Sequence, residues 1–86
     1  MEKKTIKLSG SEIVAWVIKE EEAFNFACYN SNNLRIYYDK RKVRITNIKN
    51  GKTATARCTD ADKFNVTIGV AIAWARYCNR PIPEGM

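Results

Sequence analysis

Along this chain two stretches repeat apolar residues every three or four positions, and four stretches alternate apolar and polar residues with a period of two. In the first helical stretch Ile13, Trp16, Val17 and Glu20 fall at i, i+3, i+4 and i+7, which predicts a helix over about residues 10–21. Ser9 and Glu12 stand just before it at the S-x-x-E spacing of a capping box, in which each side chain satisfies an orphan backbone amide of the helix start. Thr5-Ile6-Lys7-Leu8 ahead of it reads as a short strand.

The alternating stretches set Phe24, Phe26 and Cys28 on one side, then Leu34, Ile36 and Tyr38, then Val43 and Ile45, then Ala54, Ala56 and Cys58. They predict a four-stranded antiparallel meander with one apolar face, five-stranded if Thr5–Leu8 joins it. Its turns are Asn30–Asn33, Asp39–Lys42 and Asn50-Gly51, the last two residues both tolerating positive φ. A polar loop over Thr59–Asn65 leads into a second helix from Val66 to about Asn79, ended before Pro81, and then an extended tail. Gly69, Ala71, Ala73 and Ala75 make that helix thin, able to lie close on a sheet or on a copy of itself. The expected fold is α+β: one domain over residues 1–86, a four- to five-stranded antiparallel meander with an N-terminal and a C-terminal helix packed on one face.

A chain of 86 residues holds one core and buries a modest share of its unfolded surface, so a homo-oligomer is expected. No apolar run reaches the roughly 20 residues of a membrane span, and Met1-Glu2-Lys3-Lys4-Thr5 leads into no secretory h-region, so the expected location is cytoplasmic, with no membrane partner. Cys28, Cys58 and Cys78 are odd in number, form no C-x-x-C pair and have no histidine to join them, which disfavours both a disulfide framework and a zinc site.

Charge becomes informative once located. Residues 34–58 carry Arg35, Lys40, Arg41, Lys42, Arg44, Lys49, Lys52 and Arg57 against Asp39 alone, a net +7, whereas residues 1–33 hold −1 and residues 59–86 are neutral. Arg35, Tyr37, Lys42, Arg44 and Arg57 alternate with the core positions of the strands, and so share the outer face of the sheet as a candidate site for an anion or a nucleic acid. Cations engage phosphates there and Tyr37 offers a stacking surface. The plain alternative is a solvated sheet face whose charges discourage aggregation. A second candidate site joins Lys63, Phe64, Arg76 and Arg80 around the end of the last helix, where cations are favoured in any case by the helix dipole. Val70, Trp74 and Tyr77 form an apolar flank of that helix, a candidate interface with another subunit or a partner.

Catalytic equipment is sparse. With no histidine in the chain, a nucleophile has only Lys, Asp or Glu as a base, and no spacing suggests such a pair, so no enzyme, cofactor or metal is expected. Glu20-Glu21-Glu22 reads as a solvated helix end, and Asp60 and Asp62 as a loop that caps the following helix.

Gly51-Lys52-Thr53-Ala54-Thr55-Ala56-Arg57-Cys58, followed by Asp62, Phe64, Gly69, Ile72, Ala73 and Arg76, resembles a module of small phage and prophage proteins of low-GC bacteria. In these a K-T-A-x-A-x-C strand leads through an acidic loop into a D-x-F…G-x-x-I-A-x-x-R helix. The resemblance covers the last third of the chain and implies an accessory protein of the counter-defence type: an anti-CRISPR inhibitor acting on a nucleic-acid-loaded host defence complex, or a sponge for a phosphorylated nucleotide signal. Many inhibitors that mimic DNA are acidic, and this chain is basic, which favours capture of an anionic partner. The competing expectation is a small basic nucleic-acid-binding accessory or regulatory protein.

Overall fold

The computed structural model describes residues 5–57 and 65–84. The elements run β1 (Thr5–Ile6), α1 (Gly10–Asn30), β2 (Leu34–Tyr38), β3 (Lys42–Asn47), β4 (Thr53–Arg57), α2 (Val66–Tyr77) and β5 (Ile82–Pro83).

α1 starts as the sequence predicts. Glu12 N–H donates to Ser9 Oγ at 3.4 Å and Ser9 N–H to Glu12 Oε1 at 3.0 Å, so both halves of the capping box are made. The helix then runs on to Asn30, well past residue 21. Phe24, Phe26 and Cys28 are therefore helical, and the strand expected from their alternation does not exist. The physical reason is continuity: no Gly or Pro interrupts residues 11–33, and Val17, Glu20 and Phe24 keep the helical spacing and are the residues α1 buries. Phe26, on the opposite side, is 72% exposed.

The meander accordingly has three strands, in the order β2-β3-β4, both pairs antiparallel. Tyr37 pairs with Arg44 and Arg44 with Thr55, while Ile36, Ile45 and Ala54 form the adjacent row on the other face. At the β3–β4 turn Asn47 Oδ1 accepts from the amides of Lys49 and Asn50, and Gly51 takes φ 75°, the positive value anticipated for this turn. The remaining two strands form a separate pair: β1 and β5 lie parallel, Thr5 opposite Ile82 and Ile6 opposite Pro83, tying the two ends of the described chain together.

α2 is the centre of the molecule. Asn65 caps it through Oδ1, which accepts from Ile68 N–H; the helix ends at Tyr77 with Cys78 as its cap, and Asn79, with a φ of 59°, then turns the chain before Pro81. Every residue from Gly69 to Ala75 is buried, because α2 lies between β3 and β4 on one side and α1 on the other. The small residues that make it thin allow this double contact. α1 meets the sheet mainly beside β2 and otherwise packs on α2, so the helices form successive layers more than a pair laid side by side on the sheet. The core joins Val43, Ile45 and Ala56 of the sheet to Val70, Ile72, Ala73 and Trp74 of α2 and to Phe24 of α1. Phe24 meets the Trp74 ring edge-on, centroids 5.5 Å apart. No helix among the described residues is long and apolar enough to cross a membrane.

Candidate functional site

On the side of the sheet away from α2, the registers build three rows: Arg35–Thr46–Thr53, Tyr37–Arg44–Thr55 and Lys42–Arg57. The period of two along each strand makes this so, since the residues between them are the core positions Ile36, Val43, Ile45 and Ala56. All five cationic and aromatic residues expected on the outer face are on it.

They are not equivalent. Tyr37, Lys42 and Arg44, with Tyr38 and Asp39, line one open depression of about 210 Å³. Arg44 stacks over the Tyr37 ring, its guanidinium carbon 4.7 Å from the centroid, so one face of the ring is taken and the guanidinium edge is left to meet a ligand. Asp39 closes the rim; its Oδ1 accepts from Lys40 N–H at 2.6 Å, and Asp39 N–H donates to the Lys42 carbonyl at 2.8 Å, which holds the hairpin in place. Arg57 lies beside Lys42 in register. Arg35, by contrast, turns back on its own strand: Nη1 donates to the carbonyls of Asn32 and Leu34, at 2.8 and 2.9 Å. No cation of this face forms an ion pair among the described residues, where the one such pair is Arg80–Glu20.

The second candidate does not assemble. Lys63 and Phe64, with Asp60 and Asp62, lie outside the described residues. Arg76 and Arg80 are used within the fold. Arg76 Nη1 donates to the Thr55 carbonyl at 2.7 Å, and Arg80 grips the Glu20 carboxylate, Nε on Oε1 at 3.1 Å and Nη2 on Oε2. That hydrogen bonding raises Arg80 above the usual guanidinium value. Glu20, expected in a solvated helix end, is 5% exposed, a consequence of α1 continuing past it.

The expected interface strip is also interior: Val70 and Trp74 are core residues, and Tyr77 is half-buried, stacked on Trp74 at 5.2 Å and accepting from Asn47 Nδ2. A helix covered on both sides has no apolar flank to offer. What the sequence reading missed is the outward face of α1, where Val14, Ile18, Phe26 and Tyr29 are exposed; their spacing at i, i+4, i+12 and i+15 was the available signal. Comparison with known proteins adds nothing to these residues: no family model, curated protein or solved structure matches the chain.

Proposed function

We propose that this chain is a non-enzymatic binding protein that holds a phosphorylated partner, a nucleotide or a nucleic acid, on the outer face of β2–β4, and that it acts as a phage-type counter-defence protein. One observation carries the reading: Tyr37, Lys42 and Arg44 converge on a single depression, with Arg57 in register beside Lys42 and no carboxylate paired to any of them among the described residues. Cations left unpaired on a flat face are suited to phosphate oxygens, and a tyrosine between them to a base. The absence of histidine supports a binding role over a catalytic one. The likeness of residues 51–76 to phage accessory modules supports the biological setting.

The test is fluorescence anisotropy with a labelled single-stranded oligonucleotide and with a labelled cyclic nucleotide, each over a range of salt. For the oligonucleotide, affinity falls with salt, and Lys42→Ala or Arg44→Ala flattens the log–log slope by about 0.7–0.9 each as a phosphate contact is lost. Absence of binding at low salt, or binding indifferent to both substitutions, refutes the site. Counter-defence is tested by phage plating on a host with active interference: expression of the chain raises plating and Arg44→Ala abolishes the rise.

A further inference from the structure

The two edges of the three-stranded sheet are finished differently. Ile48 N–H donates to the Asn33 carbonyl and Asp39 N–H to the Lys42 carbonyl, each at 2.8 Å, and these bonds flank the β2–β3 ladder. With the register of β2 and β3 they make Arg35–Thr46 and Tyr37–Arg44 the pairs that exchange ladder bonds. The N–H and C=O groups of Leu34, Ile36 and Tyr38 therefore point away from β3, toward the open edge. On the far edge Thr53, Thr55 and Arg57 turn outward by the same logic, and there Arg76 closes the Thr55 carbonyl. On β2 Arg35 reaches the Leu34 carbonyl, and the outward groups of Ile36 and Tyr38 have no partner among the described residues.

An open edge accepts another strand, and β2 is complementary to itself. We propose that β2 pairs antiparallel with β2 of a second copy about a two-fold axis at Ile36, forming one continuous six-stranded sheet. This register opposes Leu34 to Tyr38, Ile36 to Ile36, and Arg35 to Tyr37. On the inner face Tyr38, 58% exposed in the single chain, gains Leu34 of the second copy as a neighbour. On the outer face Arg35 leaves its own carbonyls and meets Tyr37 of the second copy in a non-hydrogen-bonded pair, the closer kind, cation against aromatic ring. Shifting the pairing by two residues one way sets Arg35 against Arg35; the other way leaves Leu34 beyond the end of the partner β2. Each anion-binding face thereby acquires an arginine from the other copy. The pairing stands without the anion-binding reading; only this widened site rests on it.

A five-residue edge is small beside a standard interface, so association is weak and concentration-dependent. Each chain carries +6, so added salt screens the repulsion and strengthens pairing, the opposite of its effect on anion binding. The test is sedimentation velocity of the full chain without ligand, over a wide concentration range at low and moderate salt. The wild-type mass rises toward twice the monomer, more readily at moderate salt. Tyr38→Pro deletes an outward N–H and no ladder bond to β3, and it stays monomeric with unchanged circular dichroism. Tyr38→Lys, which keeps the backbone intact and sets a charge against Leu34, weakens pairing should the proline variant fold poorly. Ile36→Cys forms a 36–36 disulfide on mild oxidation, resolved by peptide mass spectrometry from links through the native cysteines. A wild-type chain monomeric at every concentration, dimers undiminished in both Tyr38 variants, or an oxidised Ile36→Cys chain without the 36–36 link overturns the proposal. Loss of nucleotide binding leaves every one of these readouts in place.

Discussion

Replacing Arg80 by Ala is expected to destabilise the fold more than any other single change at an exposed cation. Arg80 gives two hydrogen bonds to Glu20, and the two partners differ in exposure: the Arg80 side chain is 41% exposed, that of Glu20 only 6%. Removing one partner of a fully buried pair costs about 3–5 kcal/mol, because a carboxylate is left without compensation. Water reaches this pair from the Arg80 side, so the expected cost is lower, about 2–3 kcal/mol after that discount. For a domain of this size that lowers the melting midpoint by roughly 10–20 °C. The assay is urea unfolding followed by tryptophan fluorescence, which reads the core through Trp74, with the slope against urea held equal between variants. A double variant, Glu20→Met with Arg80→Ala, recovers most of the loss, since an apolar side chain in the same space needs no partner. An Arg80→Ala chain within about 0.5 kcal/mol of wild type, the scatter of ordinary surface substitutions, refutes the reasoning. So does a double variant no more stable than the single.

Two further outcomes follow from the helices. Ala73 is fully buried between α1 and the sheet, so Ala73→Leu overpacks it and costs about 1–3 kcal/mol in the same unfolding assay. Glu12 is held below the ordinary carboxylate value, first by the Ser9 backbone amide and then by its hydroxyl. A carboxylate depressed in the folded state stabilises it above the ordinary value and loses that contribution as pH falls through the lowered one. The difference in unfolding midpoint between wild type and Glu12→Ala is therefore full at neutral pH and shrinks in strong acid; a difference that grows on acidification contradicts it.

The sequence carried its local signals well. Ser9 and Glu12 marked the helix start, Gly51 the second turn, and the alternation through Leu34–Arg57 placed the charged face opposite the core. What misled was residues 20–28. Three glutamates imitate a helix end, and Phe24, Phe26 and Cys28 imitate a strand, because i, i+2, i+4 contains the i, i+4 pair that a helix also uses. Only burial separates the two readings, and burial of Glu20 depends on Arg80, far along the chain. The same non-local dependence hid the fate of Arg76 and the pairing of β1 with β5.

The enclosed centre of α2, Gly69 to Ala75, sets where this protein is free to change. A helix whose seven central residues touch neighbours on every side leaves little room for new side-chain volume, so drift there is met by loss of the fold. The outer sheet residues Tyr37, Arg44 and Arg57 contribute nothing to that enclosure. Their identities can be exchanged wholesale while the scaffold beneath keeps its shape.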